Sequence, residues 1–135
     1  MRMFVLAASA ALLAACAPQT SEPTEADLVA RGDYLVNGVV LCGDCHTPRS
    51  ATGEIDEARK LQGGELPPGP PQFATVAPTL AGVPTNFTQE QFTSFLQTGV
   101  RPDGSQPRPP MPPYRLNEDD ACAVTAYIAT LPSAQ

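Results

Sequence analysis

Apolar residues recur at helical spacing in three separate stretches of the chain. Leu28, Gly32, Leu35, Val36 and Val39 fall on one face of a first helix. Thr24 precedes it, with Asp27 three residues on, in a capping-box arrangement. Phe92, Phe95 and Leu96 form the apolar face of a second helix. Thr88 and Gln91 predict its capping box, Phe87 and Phe92 a hydrophobic staple, and Gly99 its end. Ala121, Val124, Ile128 and Leu131 form the buried stripe of a third helix, which starts at Asn117 and stops at Pro132. Glu118, Asp119 and Asp120 occupy its first turn, where the helix dipole favours anions. Pro102-Asp103-Gly104 reads as a turn. Arg49 to Ala77 lacks any period, and its Gly63-Gly64 and Pro67-Pro68-Gly69-Pro70-Pro71 mark an ordered loop.

The apolar run at the front of the chain has a different meaning. Arg2 is followed by twelve residues, Phe4 to Ala15, too short to span a bilayer as a helix but right for a secretory segment. It ends in Leu13-Ala14-Ala15-Cys16, which resembles a bacterial lipoprotein signal. Residues 1–15 are then a signal peptide, and Cys16 carries the lipid. Residues 16–24 form the lipidated start and a short tether containing Ala-Pro-Gln-Thr-Ser-Glu-Pro. Residues 25–135 form the domain. With Ala17 after the lipid, the resemblance implies the outer membrane of a Gram-negative cell. An ordinary signal peptide with a chance cysteine, or a retained membrane helix, are the alternatives.

Composition narrows the class. The 135 residues include 16 Pro, well above average usage, and only 16% are charged. A doubly wound sheet, a large barrel or a helical repeat is unsuited to this length and Pro content. At 42% hydrophobic the chain is not disordered, yet it has no Trp, three Tyr and five Phe. A small, loop-rich domain with so little aromatic core needs a staple such as a disulfide, a metal or a cofactor. Without Arg2, seven basic and fourteen acidic side chains leave a charge of −7. No basic patch exists to neutralise phosphates, so nucleic acid is not a partner.

The staple is read from Cys42-Gly43-Asp44-Cys45-His46. C-x-x-C-H is the haem attachment pattern. Two thiols at fixed separation add to the two vinyl groups of one haem, and the adjacent His supplies an axial nitrogen to iron. Three other uses of these residues compete. A thioredoxin-like redox pair wants a βαβ context. A zinc site could recruit Cys42, Cys45, His46 and Cys122, although neighbouring Cys45 and His46 suit one tetrahedral ion poorly. A Cys42–Cys45 disulfide is the third. Cys122 is not needed for haem and by phase flanks the last helix's stripe.

Counting points to the second axial ligand. His46 is the sole His, and Met111 the sole Met after the signal segment. A bis-His haem is therefore excluded within this chain, and His46 with Met111 is the iron-ligand pair. Met111 sits in Pro109-Pro110-Met111-Pro112-Pro113-Tyr114, where four Pro stiffen the loop. The competing reading leaves Met111 without a role and the iron five-coordinate or water-ligated.

On these motifs, from Glu25 to Pro132, the sequence resembles the class I cytochrome c family. It looks nearest to small bacterial cytochromes, and cytochrome domains of periplasmic dehydrogenases, that carry C-x-x-C-H-T-P and a late M-P-x-Y loop. The resemblance implies an all-α, small cytochrome c fold: three to five helices wrapped around one covalently bound haem, long Pro-rich loops and no sheet. Phe-x-x-x-Leu-x-x-Gly at residues 92–99 recurs in the family. Gly32-Asp33-Tyr34 resembles its first-helix G-x-Y pattern, where a small residue admits the last helix, and Tyr127 packs near the first helix. Pro78-Thr79-Leu80-Ala81-Gly82 resembles its P-x-L-x-G segment. There the Pro carbonyl accepts a hydrogen bond from the axial His and the Leu packs on haem, so Pro78 and Leu80 join the cofactor-binding residues. Their plain alternative is a loop Pro and a core Leu.

The expected function is single-electron transfer between periplasmic or membrane-bound redox proteins: a dehydrogenase, an oxidase or another cytochrome. The chain is then not itself an enzyme. Its lipid would hold it at a membrane. Alternatives are a haem c subunit of a periplasmic dehydrogenase, a ligand-binding haem sensor or enzyme with a labile Met111, and a non-haem C-x-x-C protein. Arg101, Arg108 and Arg115 flank the Met111 loop as candidates for pairing with haem propionates or a partner, against the default of solvated side chains.

Overall fold

Thr24 opens the first helix, α1 (Glu25–Tyr34), in the computed structural model, which describes residues 22–132. The expected signal segment, Cys16 and most of the tether lie outside the described residues. The Thr24 hydroxyl accepts from the Asp27 amide at 3.2 Å, and the Asp27 carboxylate accepts from the Thr24 amide at 3.0 Å, closing the capping box. Asp27's carboxyl is held below its ordinary range, first by the Thr24 hydroxyl and then by the Thr24 amide. α1 runs on into a π-helical turn at Leu35–Val39, where the Val40 amide reaches back five residues to the Leu35 carbonyl at 2.7 Å. Gly32, Leu35 and Val36 are buried on the expected face, but Val39 is 52% exposed. The correction is physical: a turn closed by i→i+5 bonds breaks the 3.6-residue period, so the stripe ends at Val36.

The short helix α2 (Gly43–His46) follows, and a 3₁₀ turn covers Glu57–Arg59. The expected absence of a sheet is also corrected. β1 (Gly64–Glu65) and β2 (Val76–Ala77) pair antiparallel, with Gly64 opposite Ala77 and Glu65 opposite Val76. The Leu66 amide extends the ladder to the Thr75 carbonyl at 2.9 Å. Within the Arg49–Ala77 segment read as an ordered loop, residues 64–77 thus form a hairpin whose Pro-rich end supplies the turn. Two-residue strands leave no apolar alternation for a sequence to display.

α3 (Gln89–Thr98) has the predicted boundaries. Thr88 and Gln91 form the capping box, Phe87 and Phe92 lie edge-on with centroids 5.7 Å apart, and Gly99 closes the helix in the left-handed region at φ 67°. The Gly104 amide bonds the Arg101 carbonyl at 2.9 Å in the expected turn. α4 (Glu118–Thr130) is capped by Asn117, whose side-chain oxygen accepts from the Asp120 amide at 2.8 Å. Ala121, Val124 and Ile128 are buried, and Leu131 is half-buried at the helix end. Ala123 and Thr125 are buried too, because α4 lies between α1 and α3 and has two inner faces.

The α1–α4 crossing depends on Gly32. A Cβ there would stand 2.0 Å from the Ala123 carbonyl oxygen and 2.6 Å from the Tyr127 Cβ. Around this contact Arg31 pairs with Asp120 at 2.9 Å, and Asn37 donates to the Tyr127 hydroxyl at 3.2 Å. On the other side the Thr93 hydroxyl donates to Thr125 at 2.8 Å, linking α3 to α4. Among the described residues no helix is long and apolar enough to cross a membrane.

Candidate functional site

One cavity of about 320 Å³ lies between the helical core, the segment from Pro78 to Phe87 and the Pro-rich Met111 loop. Cys42, Cys45, His46, Pro78, Leu80 and Met111 all line it, so every site residue predicted within the described region reaches one place. Phe92, Phe95 and Leu96 of α3 and Val124 and Ile128 of α4 form its apolar wall. Its volume is in the range of sites that enclose organic ligands. A wider cleft of about 450 Å³ adjoins it, sharing Cys45, His46, Pro78 and Met111 and adding Arg108 and Ser105. Arg101 stands at the junction of the two.

α2 brings the two thiols and the imidazole together within one helical turn. The His46 amide bonds the Cys42 carbonyl at 2.9 Å, and the Cys45 amide bonds it at 3.3 Å. Cys42 and Cys45 are free thiols, which sets aside the disulfide for this structure. Burial pushes the Cys42 thiol up to about 11. No group of His, Cys, Asp and Glu suited to a metal ion occurs among the described residues, so the zinc reading has no support there.

His46 is 6% exposed, and its Nδ1 lies 2.8 Å from the Pro78 carbonyl oxygen. A carbonyl only accepts, so Nδ1 carries a proton, and in the neutral ring Nε2 keeps its lone pair. Burial lowers the pKa of His46, and the Pro78 carbonyl opposes that shift. The buried imidazole is therefore neutral, with one nitrogen fixed as donor and the other able to bind iron.

Sequence reasoning missed the corner that sets this contact. Leu61 is fully buried at φ 59°, a left-handed conformation costly for Leu. Its amide donates to the buried Thr47 hydroxyl at 3.1 Å, and its carbonyl accepts from Leu80 at 2.7 Å and Ala81 at 3.0 Å. Two residues on, the Gly63 amide donates to the His46 carbonyl at 2.7 Å. These bonds tie the segment after the C-x-x-C-H motif to the Pro78–Leu80 segment. No local pattern marks them, because the partners are backbone groups and one hydroxyl distant in sequence.

Met111 is half-buried and packs against the core cluster. Its loop is pinned at the far end by the Tyr114 hydroxyl, which donates to the Val40 carbonyl at 3.3 Å, and by the Leu116 amide to the Leu96 carbonyl at 3.1 Å. Burial pushes the Tyr114 hydroxyl up to about 12. Cys122 is half-buried, as its helical phase implies, and does not line the cavity.

A small helical domain that gathers two thiols, a neutral imidazole and a thioether around one apolar cavity has the donor set of a covalent haem protein. The chain belongs to the cytochrome c family: residues 29–132 match Cytochrome c. It is 31% identical over 108 residues to a "Diheme cytochrome c-type" protein of Cereibacter sphaeroides, covering 76% of this chain and 35% of that one. It is 34% identical over 122 residues to a "Fructose dehydrogenase cytochrome subunit" of Gluconobacter japonicus, covering 83% of this chain and 24% of the relative. A cytochrome c subunit of a quinone alcohol dehydrogenase from Gluconacetobacter polyoxogenes is 34% identical over 116 residues, covering 77% and 24%. The chain thus matches about a third of the first relative's length and about a quarter of the two subunits.

Proposed function

We propose that the chain is a class I, monohaem c-type cytochrome that passes single electrons between redox proteins of the periplasm. The observation that carries this reading is the gathering of Cys42, Cys45, His46 and Met111 on one apolar cavity. Haem, when bound, supplies a one-electron iron couple, raised in potential by thioether ligation.

Each residue then has a role. Cys42 and Cys45 would hold haem covalently at α2. His46 offers Nε2 to iron, with Nδ1 held by Pro78, which fixes ring orientation and raises ligand basicity. Met111 offers its thioether from the opposite loop. Leu80 and the aromatic wall of α3 exclude water. With His46 and Met111 both engaged as ligands, the protein would contribute ligation, polarity and docking rather than a substrate site. Cys16 carries lipid that holds the domain at a membrane of a Gram-negative cell, the outer membrane being favoured by Ala17, and so raises its concentration near membrane-bound partners.

The similarity to dehydrogenase cytochrome subunits favours a second reading, a haem c subunit that takes electrons from a periplasmic dehydrogenase. The domain's chemistry is the same in both, and the difference is whether it stays bound to its donor.

Protein made with haem-attachment machinery tests the reading. Its Soret absorption should survive acid–acetone extraction, with one iron per chain. Met111→Ala should lose the weak far-red sulfur-to-iron band and lower the potential, whereas an unchanged spectrum removes Met111 as ligand. Cys16→Ser should release the protein from membranes. A carrier should purify free of a dehydrogenase, whereas a subunit should keep one at fixed stoichiometry.

A further inference from the structure

We propose that Arg108 is a positioning residue for Met111, and that it acts by fastening the Met111 loop to the tip of the β1–β2 hairpin. The inference rests on the proposed role of Met111 as iron ligand and adds the device that holds it there.

The hairpin reaches both sides of the cavity. At its base the Gly63 amide holds the His46 carbonyl, and just past β2 the Pro78 carbonyl holds His46 Nδ1. At its tip the Arg108 guanidinium spans two successive carbonyls, donating from Nε to Gln72 at 3.3 Å and from Nη2 to Phe73 at 2.8 Å. Next to it the Ala74 amide donates to the Pro109 carbonyl at 2.6 Å. The Met111 amide then closes a turn onto the carbonyl of Arg108 itself at 3.2 Å. Arg108 is therefore the common member of a bond to the hairpin and a bond to Met111.

The chemistry suits a fastener. Both acceptors are backbone oxygens on a tip stiffened by Pro67, Pro68, Pro70 and Pro71, and the Phe73 amide closes a turn onto Pro70 at 2.9 Å. Guanidinium is a rigid fork that can hold two carbonyls at once, which an ammonium cannot do in the same geometry. Arg108 is exposed, so the contact is modest in global stability. Its effect is local: it sets how often the Met111 loop leaves the cavity. Stiffness from Pro alone does not dock the loop, because Pro109 and Pro110 contribute no amide donor.

Haem-loaded full-length protein provides the test, in wild type, Arg108→Ala, Arg108→Lys, Met111→Ala and Arg31→Ala. Arg31→Ala breaks the surface pair with Asp120 and serves as a control for general loosening. Arg108→Ala should speed hydrogen exchange at the Ala74 and Met111 amides roughly tenfold. It should also tighten imidazole binding to the oxidised protein by a similar factor, because imidazole competes with Met111. Arg108→Lys should fall between Arg108→Ala and wild type. Unchanged exchange at those two amides in Arg108→Ala would overturn the proposal. So would an increase spread evenly over the helices, as Arg31→Ala would give, or faster exchange with no change in imidazole affinity. Failure of the ligand assignment is seen separately: imidazole would then bind wild type and Met111→Ala alike.

Discussion

Nδ1 of His46 stands 2.8 Å from the carbonyl oxygen of Pro78, 32 positions further along the chain. The acceptor belongs to the backbone, so no substitution at Pro78 removes it directly. What holds it in place is the Leu61 corner, where the buried Thr47 hydroxyl takes the Leu61 amide. Thr47→Val keeps the shape and leaves that amide without a partner. It should destabilise the folded protein by about 1–3 kcal/mol in denaturant titration, with Thr47→Ser close to wild type. Equal stability of the Val and wild-type proteins would remove the corner from the account.

The close approach of α1 and α4 gives a paired comparison between two glycines. Gly32→Ala places a methyl inside contact distance of the Ala123 carbonyl, so the helices must part. Overpacking of this kind costs about 1–3 kcal/mol or more. Gly38→Ala meets only the Tyr34 ring, at 3.5 Å, an ordinary contact. Thermal melts should show a clear loss for the first and a much smaller change for the second.

Thr88→Ala removes one half of the α3 capping box and should cost about 1 kcal/mol. The loss should appear as fraying of the first turn of α3 in amide exchange, with α4 unaffected.

Tyr114 links the Met111 loop to the end of the first helical stretch, and its hydroxyl is pushed up to about 12 by burial. A raised folded value means that the neutral phenol favours the fold. That contribution is fully present below pH 10, near the ordinary tyrosine value, and is lost as pH rises from there through about 12. Ultraviolet titration of tyrosinate in wild type should contain a late step that shrinks by one tyrosine in Tyr114→Phe. A Tyr114→Phe protein with the same titration end point would contradict the assignment.

Much of this was legible in the chain because its causes are local. Thr88, Gln91, Phe87 and Gly99 mark α3 within thirteen residues, and Cys42, Cys45 and His46 occupy one turn, so spacing alone carries their meaning. Met111 could be found by counting, since no other thioether or imidazole competes after the front segment. Val39 was misread because a π-helical turn shifts the period without changing composition. The β1–β2 pairing was missed because strands of two residues show no alternation. The Leu61 corner and the Arg108 fastener were invisible for another reason: both join a donor to backbone carbonyls or a hydroxyl many residues away, and a carbonyl has no sequence signature.

The central claim is that His46 and Met111 close both iron positions of one covalent haem, making the protein an electron carrier. The most direct test is the absorption spectrum of purified haem-loaded protein, recorded oxidised, reduced, and reduced under carbon monoxide. The account predicts a low-spin spectrum in both oxidation states, a weak far-red band when oxidised, and a reduced spectrum that carbon monoxide leaves unchanged. A high-spin resting spectrum, or prompt carbon monoxide binding, would contradict it by showing an open iron position.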